Sequence, residues 1–132
     1  MEDQAVEKIL RESKTIAVVG FSRRPSRAGY YVPAYLQNQG YRIIPVNPYL
    51  QEGLGEPAYP ALEDIPGPVD LVLLFQRSEK VPPFVDQAIA IGAKGVWMQS
   101  GIANEAAADR AREAGLDVVQ NRCMMVEHRY NG

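Results

Sequence analysis

Three arginines crowd one short loop that directly follows a largely apolar segment, and this loop is the part of the sequence most able to bind a ligand. The segment Thr15–Val19 ends at Gly20, and Arg23, Arg24 and Arg27 follow within seven residues. Where a strand passes through a glycine turn into a helix, the first N–H groups of the helix are unpaired and lie at the positive end of its dipole. The loop therefore predicts a binding site for an anion such as a phosphate.

The loop departs from the glycine fingerprint of ordinary dinucleotide-binding proteins. The GxGxxG pattern would require glycine where this chain has Ser22 and Pro25. The end of the second predicted strand, Val46-Asn47-Pro48, also lacks the acidic residue that holds the ribose diol of NAD. An uncharged strand end near three arginines suits a nucleotide with an additional phosphate, and both NADP and coenzyme A fit that description.

Predicted strands and helices alternate along the chain. The strands are Thr15–Val19, Arg42–Val46, Leu71–Phe75, Gly95–Met98 and Val118–Val119. The helices run from Asp3 to near Ser13, from about Tyr30 to Gln39, through Pro82 and Pro83 to Gly92, and from Asn104 to Gly115, with a short helix around Leu62–Ile65. No hairpin turn is predicted. This order predicts an α/β fold with an open parallel sheet of about five strands and helices on both faces.

The candidate site residues follow the predicted strands. Ligands of an open parallel sheet bind at the carboxyl ends of its strands, so the residues at these ends are expected to face one crevice. The segments concerned are Gly20–Arg27, Asn47–Pro48, Phe75–Arg77 and Gln99–Ile102.

Five short motifs occur in a characteristic order over nearly the whole chain. They are Ile16–Ser22, Ile44–Pro48, Asp70–Val72, Val96–Ile102 and Asn121–Cys123. Together they resemble the stand-alone CoA-binding domain proteins, which are similar to the nucleotide-binding domain of the succinyl-CoA synthetase α subunit. The resemblance implies a Rossmann-type domain with coenzyme A as its cofactor.

The resemblance also implies which residues contact the cofactor. The first loop would bind the phosphates, the end of the second strand would line the adenosine site, the third strand end would flank the cofactor, and the fourth would meet the pantetheine arm. In that order the residues are Gly20, Ser22, Arg23 and Arg24; Asn47 and Pro48; Phe75, Arg77 and Val81; Gln99, Ser100, Gly101 and Ile102. The phosphorylated histidine of the synthetase belongs to a second domain without a counterpart here, so ligase chemistry is not implied.

Length and charge exclude several classes of protein. The 132 residues fit one domain, residues 1–132, and a further catalytic domain would have to be another chain, which leaves a protein partner open. The net charge of −2 provides no general attraction for nucleic acid or an acidic membrane. The acidic N-terminus lacks the features of a signal peptide, so a cytosolic location is expected. One cysteine, Cys123, excludes an internal disulfide and a cysteine-rich metal site.

Plainer interpretations exist for most of these residues. The first loop could be a solvated turn, Asn47–Pro48 could simply end a strand, and Arg77 could pair with Glu79. We expect the only histidine, His128, to lie in a solvated tail. Two residues, Cys123 and Trp97, are expected to be packing residues.

The expected function is binding of coenzyme A or an acyl-CoA, with no catalysis by the chain itself. One alternative is a fragment of an NADP-dependent oxidoreductase, or a transferase that uses acyl-CoA. Another is a regulatory or scaffold subunit with a vestigial nucleotide site.

Overall fold

Five strands of the chain pair in parallel to form an open sheet. The computed structural model describes residues 2–131. Its strands are β1 (Thr15–Val19), β2 (Arg42–Val46), β3 (Glu52–Gly53), β4 (Glu56–Pro57), β5 (Leu71–Leu74), β6 (Gly95–Met98) and β7 (Asp117–Val119). The parallel sheet has the order β2-β1-β5-β6-β7, and β3 pairs with β4 as a separate antiparallel hairpin.

Helices cover both faces of the sheet. They are α1 (Glu2–Glu12), α2 (Ala28–Asn38), α3 (Val81–Ala90), α4 (Glu105–Glu113) and α5 (Met124–Asn131), with 3₁₀ turns at Leu62–Asp64 and Ser78–Lys80. The apolar residues of α1, α2 and α5 pack with Ile16, Val18 and Trp97 on one face of the sheet. Those of α3 and α4 pack on the opposite face. Strands covered on both sides must be apolar throughout, which explains the continuous run Leu71–Leu74.

The predicted fold class is confirmed, and three of the five predicted strands have the observed bounds. Two strands differ by one residue, because β5 ends at Leu74 and β7 begins at Asp117. Helix α2 begins at Ala28, two residues before the predicted start. Asn104 caps α4 as expected, since its side-chain oxygen accepts a hydrogen bond from the N–H of Ala107 at 3.0 Å.

Two elements contradict the sequence analysis. The segment predicted as a loop without hairpins contains the β3–β4 hairpin, whose two turn residues, Leu54 and Gly55, have φ values of 52° and 79°. The predicted solvated tail is helix α5, whose first residue, Met124, is fully buried. His128 is half-buried on this helix, and its Nδ1 lies 2.8 Å from the hydroxyl of Tyr35. The tail interpretation of His128 was therefore wrong, because the residue packs between two helices.

Asp70 joins β1 and β5 at the amino edge of the sheet. One carboxylate oxygen accepts hydrogen bonds from the N–H groups of Lys14, at 2.9 Å, and Thr15, at 3.0 Å. Burial opposes the charged form of Asp70, but these N–H groups and the ammonium groups of Lys94 and Lys14 outweigh it and hold its pKa below the usual range.

The chain's first and last helices are joined by one guanidinium group. Arg122 lies 3.0 Å from a carboxylate oxygen of Glu2, 2.8 Å from one of Asp3 and 3.6 Å from one of Glu127.

No helix within residues 2–131 is long and apolar enough to cross a lipid bilayer.

Candidate functional site

The carboxyl ends of β2, β1, β5 and β6 lie side by side along one edge of the sheet. The four segments predicted to face one crevice follow these strand ends directly. In sheet order they are Asn47–Pro48, Gly20–Arg27, Phe75–Arg77 and Gln99–Ile102. The structure therefore brings the predicted site segments to a common edge.

Gly20 lies between the end of β2 and the residue that follows β5. Its φ is +84°, and a Cβ at this position would lie 2.9 Å from the backbone oxygen of Phe75. Its N–H donates to the carbonyl of Val46 at 3.1 Å. A residue with a side chain would be strained here and would also clash with the backbone of Phe75, which directly follows β5, so the site requires glycine.

The first loop also passes close to the backbone of Gly29, a residue that the sequence analysis missed. A Cβ on Gly29 would lie 3.0 Å from the carbonyl oxygen of Gly20 and 3.4 Å from the nitrogen of Ser22. This glycine lies in the first turn of α2, nine residues after Gly20 rather than at the third or sixth position of the usual fingerprint. The available signal was the pair of small residues Ala28-Gly29, which directly precedes Tyr30, the predicted start of this helix.

The N-terminus of α2 keeps free donors beside this loop. Arg27 is the N-cap residue and makes no capping hydrogen bond through its side chain. The N–H groups of Ala28 and Gly29 have no acceptor among residues 2–131. Free N–H groups at a helix N-terminus attract anions, so this end of α2 can bind a phosphate.

Four exposed arginines at the carboxyl edge make no ion pair with any residue from 2 to 131. They are Arg23, Arg24, Arg27 and Arg77. Arg77 thus makes no pair with Glu79. By contrast, five of the six other arginines lie between 2.8 and 3.6 Å from a carboxylate oxygen. They are Arg11, Arg42, Arg110, Arg112 and Arg122. Uncompensated arginine charge is thus concentrated at this edge.

Asn47 ties the end of β2 to the first loop. Its side-chain nitrogen donates to the carbonyl of Phe21 at 2.9 Å, and its side-chain oxygen accepts from the N–H of Tyr49 at 2.8 Å. Both ends of the amide are therefore engaged within the protein.

A mainly apolar cleft of about 220 Å³ opens beside Asn47. Three of its lining residues, Tyr49, Pro60 and Phe84, were missed by the sequence analysis; Val46, Asn47 and Pro48 were predicted. Tyr49 is 91% exposed, so its ring is available to a ligand. The signal for Tyr49 was its position directly after Asn47–Pro48. A cleft with mainly apolar walls and no carboxylate suits a planar heterocycle.

A larger cavity of about 400 Å³ lies at the opposite, amino edge of the sheet. Its two lysines are already near carboxylates, since Lys8 lies 3.2 Å from Asp117 and Lys94 lies 3.8 Å from Asp70. This cavity is remote from the free arginines.

The segment Gln99–Ile102 is held by hydrogen bonds within the protein. Gln99 is only 3% exposed, and its side-chain oxygen accepts from the N–H of Met124 at 2.9 Å. The N–H of Gly101 donates to the side chain of Asn121 at 2.7 Å. Ser100 and Gly101 are exposed at the edge of the crevice. Gln99 itself anchors the start of α5.

Two residues near this segment, Trp97 and Cys123, were expected to be packing residues. Trp97 is fully buried, as predicted, and its ring N–H donates to the carbonyl of Arg122 at 2.8 Å. Cys123 is half-buried and packs against the face that carries α1, α2 and α5. Within residues 2–131, no group of three or more His, Cys, Asp or Glu side chains is placed to hold a metal ion.

The open parallel sheet, the glycine turn after β1 and the cluster of free arginines are typical of α/β proteins whose ligands bind at the carboxyl edge of the sheet. The family described as "CoA binding domain" matches residues 14–129. The chain belongs to this family.

Similar proteins support this assignment. The uncharacterized protein YneT of Bacillus subtilis is 42% identical over 123 residues, which cover 93% of this chain and 91% of that protein. A structure from Thermus thermophilus, described as cell-free ID.343, matches with a TM-score of 0.92 and 41% identity, over the full length of both chains. Subunit α of the ADP-forming acetate–CoA ligase II of Pyrococcus furiosus is 30% identical over 87% of this chain but only 24% of that subunit.

Proposed function

We propose that this protein is a cytosolic, single-domain module that binds coenzyme A or an acyl-CoA. The observation that carries the proposal is the set of four arginines without ion pairs at the carboxyl edge, three of which lie in the loop that leads into the free N-terminus of α2. In a chain of net charge −2, such a concentration of positive charge calls for an anionic ligand with several phosphates.

The phosphates of the ligand are assigned to the first loop. Gly20 allows the chain to turn close to the ligand, and Ser22 shapes the loop by accepting a hydrogen bond from the N–H of Arg24 at 3.1 Å. The guanidinium groups of Arg23, Arg24 and Arg27 would supply charged hydrogen bonds to phosphate oxygens.

The adenine base is assigned to the cleft beside β2. Val46, Asn47 and Pro48 line one side, and the exposed ring of Tyr49 would stack on the base. The absence of a carboxylate at Val46–Pro48 disfavours NAD, because its ribose diol finds no acceptor there.

The pantetheine arm is assigned to the edge between β5 and β6. Phe75 and Arg77 would flank it, and Val81, which is fully buried, would shape the wall rather than touch the ligand. Ser100, Gly101 and Ile102 would meet the arm directly, whereas buried Gln99 would act by fixing their backbone.

We propose binding without catalysis by this chain. The ligase name of the Pyrococcus furiosus relative supports a CoA ligand, but this chain spans about a quarter of that subunit. Ligation needs a phosphorylatable nucleophile, and His128 is engaged with Tyr35 between two helices.

Calorimetry with coenzyme A, dephospho-CoA, NADP and NAD tests the proposal. We expect coenzyme A to bind more tightly than dephospho-CoA and NAD not to compete with it. A ligand at a hundred times its Kd adds about 2.7 kcal/mol of stability, so coenzyme A should also raise the melting temperature. Tighter binding of NADP would favour the oxidoreductase alternative, and a melting temperature that no nucleotide raises would favour the regulatory one. Native mass spectrometry of the purified protein identifies any ligand that it retains.

A further inference from the structure

A proline inside α2 leaves one carbonyl of that helix without its usual donor. Pro33 is the sixth residue of α2 and is buried. Proline has no backbone N–H, so the carbonyl of Gly29, four residues earlier, cannot accept the normal helical hydrogen bond. The ring of a proline also crowds the carbonyl four residues before it and turns that carbonyl away from the helix axis.

The first loop supplies the missing donor. The N–H of Ser22 donates to the carbonyl oxygen of Gly29 at 3.1 Å. The hydroxyl oxygen of Ser22 in turn accepts from the N–H of Arg24. Two hydrogen bonds therefore link the Gly29 carbonyl, through Ser22, to the backbone of Arg24 in the loop.

We propose that Pro33 is a positioning residue for the first loop, an inference that rests on the proposed function. Because Pro33 has no N–H, the Gly29 carbonyl remains available to accept the hydrogen bond from Ser22. That hydrogen bond holds the loop against α2. An ordinary residue at position 33 would donate its own N–H to Gly29 and draw the carbonyl back along the helix. The loop would then lose its fixed distance from the N–H groups of Ala28 and Gly29.

Amide hydrogen exchange of the ligand-free protein tests the contact without reference to coenzyme A. In Pro33→Ala, we expect the Ser22 amide to exchange about two- to tenfold faster relative to the Gly20 amide, as loss of one ordinary hydrogen bond predicts. Val32→Ala is the matched control, because it removes two carbons from the adjacent buried residue of the same helix but adds no N–H. Its ratio of Ser22 to Gly20 exchange should equal that of the wild type. If Pro33→Ala does not fold, Pro33→Val introduces the same backbone N–H while its larger side chain fills the buried space.

Calorimetry with coenzyme A then measures the consequence for binding. We expect Pro33→Ala to weaken binding about two- to tenfold, since one loop contact is lost, and Val32→Ala to leave it unchanged. Wild-type protein that does not bind coenzyme A would contradict the proposed function. Wild-type protein that binds it, together with a Pro33→Ala variant of unchanged Ser22 exchange or unchanged affinity, would overturn the role of Pro33.

Discussion

The side-chain N–H of Asn47 donates to the backbone carbonyl of Phe21 at 2.9 Å. Phe21 is 1% exposed and lies against Gly53 of the hairpin, where an added Cβ would overlap its ring. Its ring also lies 6.0 Å from that of Tyr30. The first loop is thus held at Phe21 both by the end of β2 and by the β3–β4 hairpin.

Asn47→Asp should weaken binding of coenzyme A by at least about tenfold, because it removes the donor to Phe21 and places a carboxylate beside the phosphate loop. Calorimetry measures the loss. Asn38→Asp makes the same chemical change at the exposed last residue of α2 and should leave the affinity unchanged. Equal affinities for the two variants would contradict the role of Asn47.

The double variant Arg23→Ala/Arg24→Ala should lose more than about tenfold in affinity, since each charged hydrogen bond contributes about 1.5–3 kcal/mol. The control is Arg11→Ala/Arg112→Ala, which changes the net charge equally but removes arginines already paired with carboxylates. If the control weakened binding as much as the double variant, a general charge effect would replace the local site.

Gly20→Ala should destabilise the fold more than Gly115→Ala does. The φ values of the two glycines are similar, 84° and 90°, so both variants carry backbone strain of about 1–3 kcal/mol. Only Gly20 has a backbone atom, the oxygen of Phe75, at 2.9 Å from the added Cβ. Urea unfolding gives both free energies of unfolding, and equal losses would mean that the contact with Phe75 relaxes without cost.

Asp70→Asn should lower the melting temperature at neutral pH, and its deficit should shrink in acid. The pKa of Asp70 is lowered in the folded protein, so its carboxylate stabilises the fold above the pKa of the unfolded chain. This stabilisation is lost as the pH falls through the lower, folded pKa, which places the change below about pH 4. Asp109→Asn, at an exposed pair with Arg112, should have little effect at any pH. A deficit for Asp70→Asn that is constant from pH 7 to pH 3 would contradict this.

The parallel sheet could be predicted because its strands are apolar on both faces and are bounded by turns. Thr15–Val19 and Gly95–Met98 have no polar side that would confuse them with surface helices, and Gly20 marks the turn that follows the first of them. Because parallel strands all end at the same edge of a sheet, the alternation of strands and helices also predicted that the four segments after the strands lie at one edge. The order of the strands along that edge was not predicted.

The missed features depend on contacts between distant residues or on atypical local sequence. The hairpin turn uses Leu54 and Gly55, whereas turns with two positive φ values usually begin with Asn, Asp or Gly. Helix α5 depends on contacts with distant parts of the chain, since its first residue, Met124, is buried and His128 contacts Tyr35, which lies 93 residues earlier. The hydrogen bond from Ser22 to the Gly29 carbonyl could not be predicted from the sequence either. The available signal was Pro33 in the middle of a predicted helix, because a proline leaves the carbonyl four residues earlier without its helical donor.

The free arginines at the carboxyl edge also have a kinetic consequence. Because most of the other arginines are paired and the net charge is −2, an approaching polyanion is attracted to one end of the molecule and repelled by much of the rest. Such a field orients the anion before contact and accelerates its association. Salt screens this long-range attraction within a Debye length of about 10 Å at 0.1 M, but it weakens close contacts less. Added salt should therefore slow the capture of an anionic ligand more than it hastens its escape.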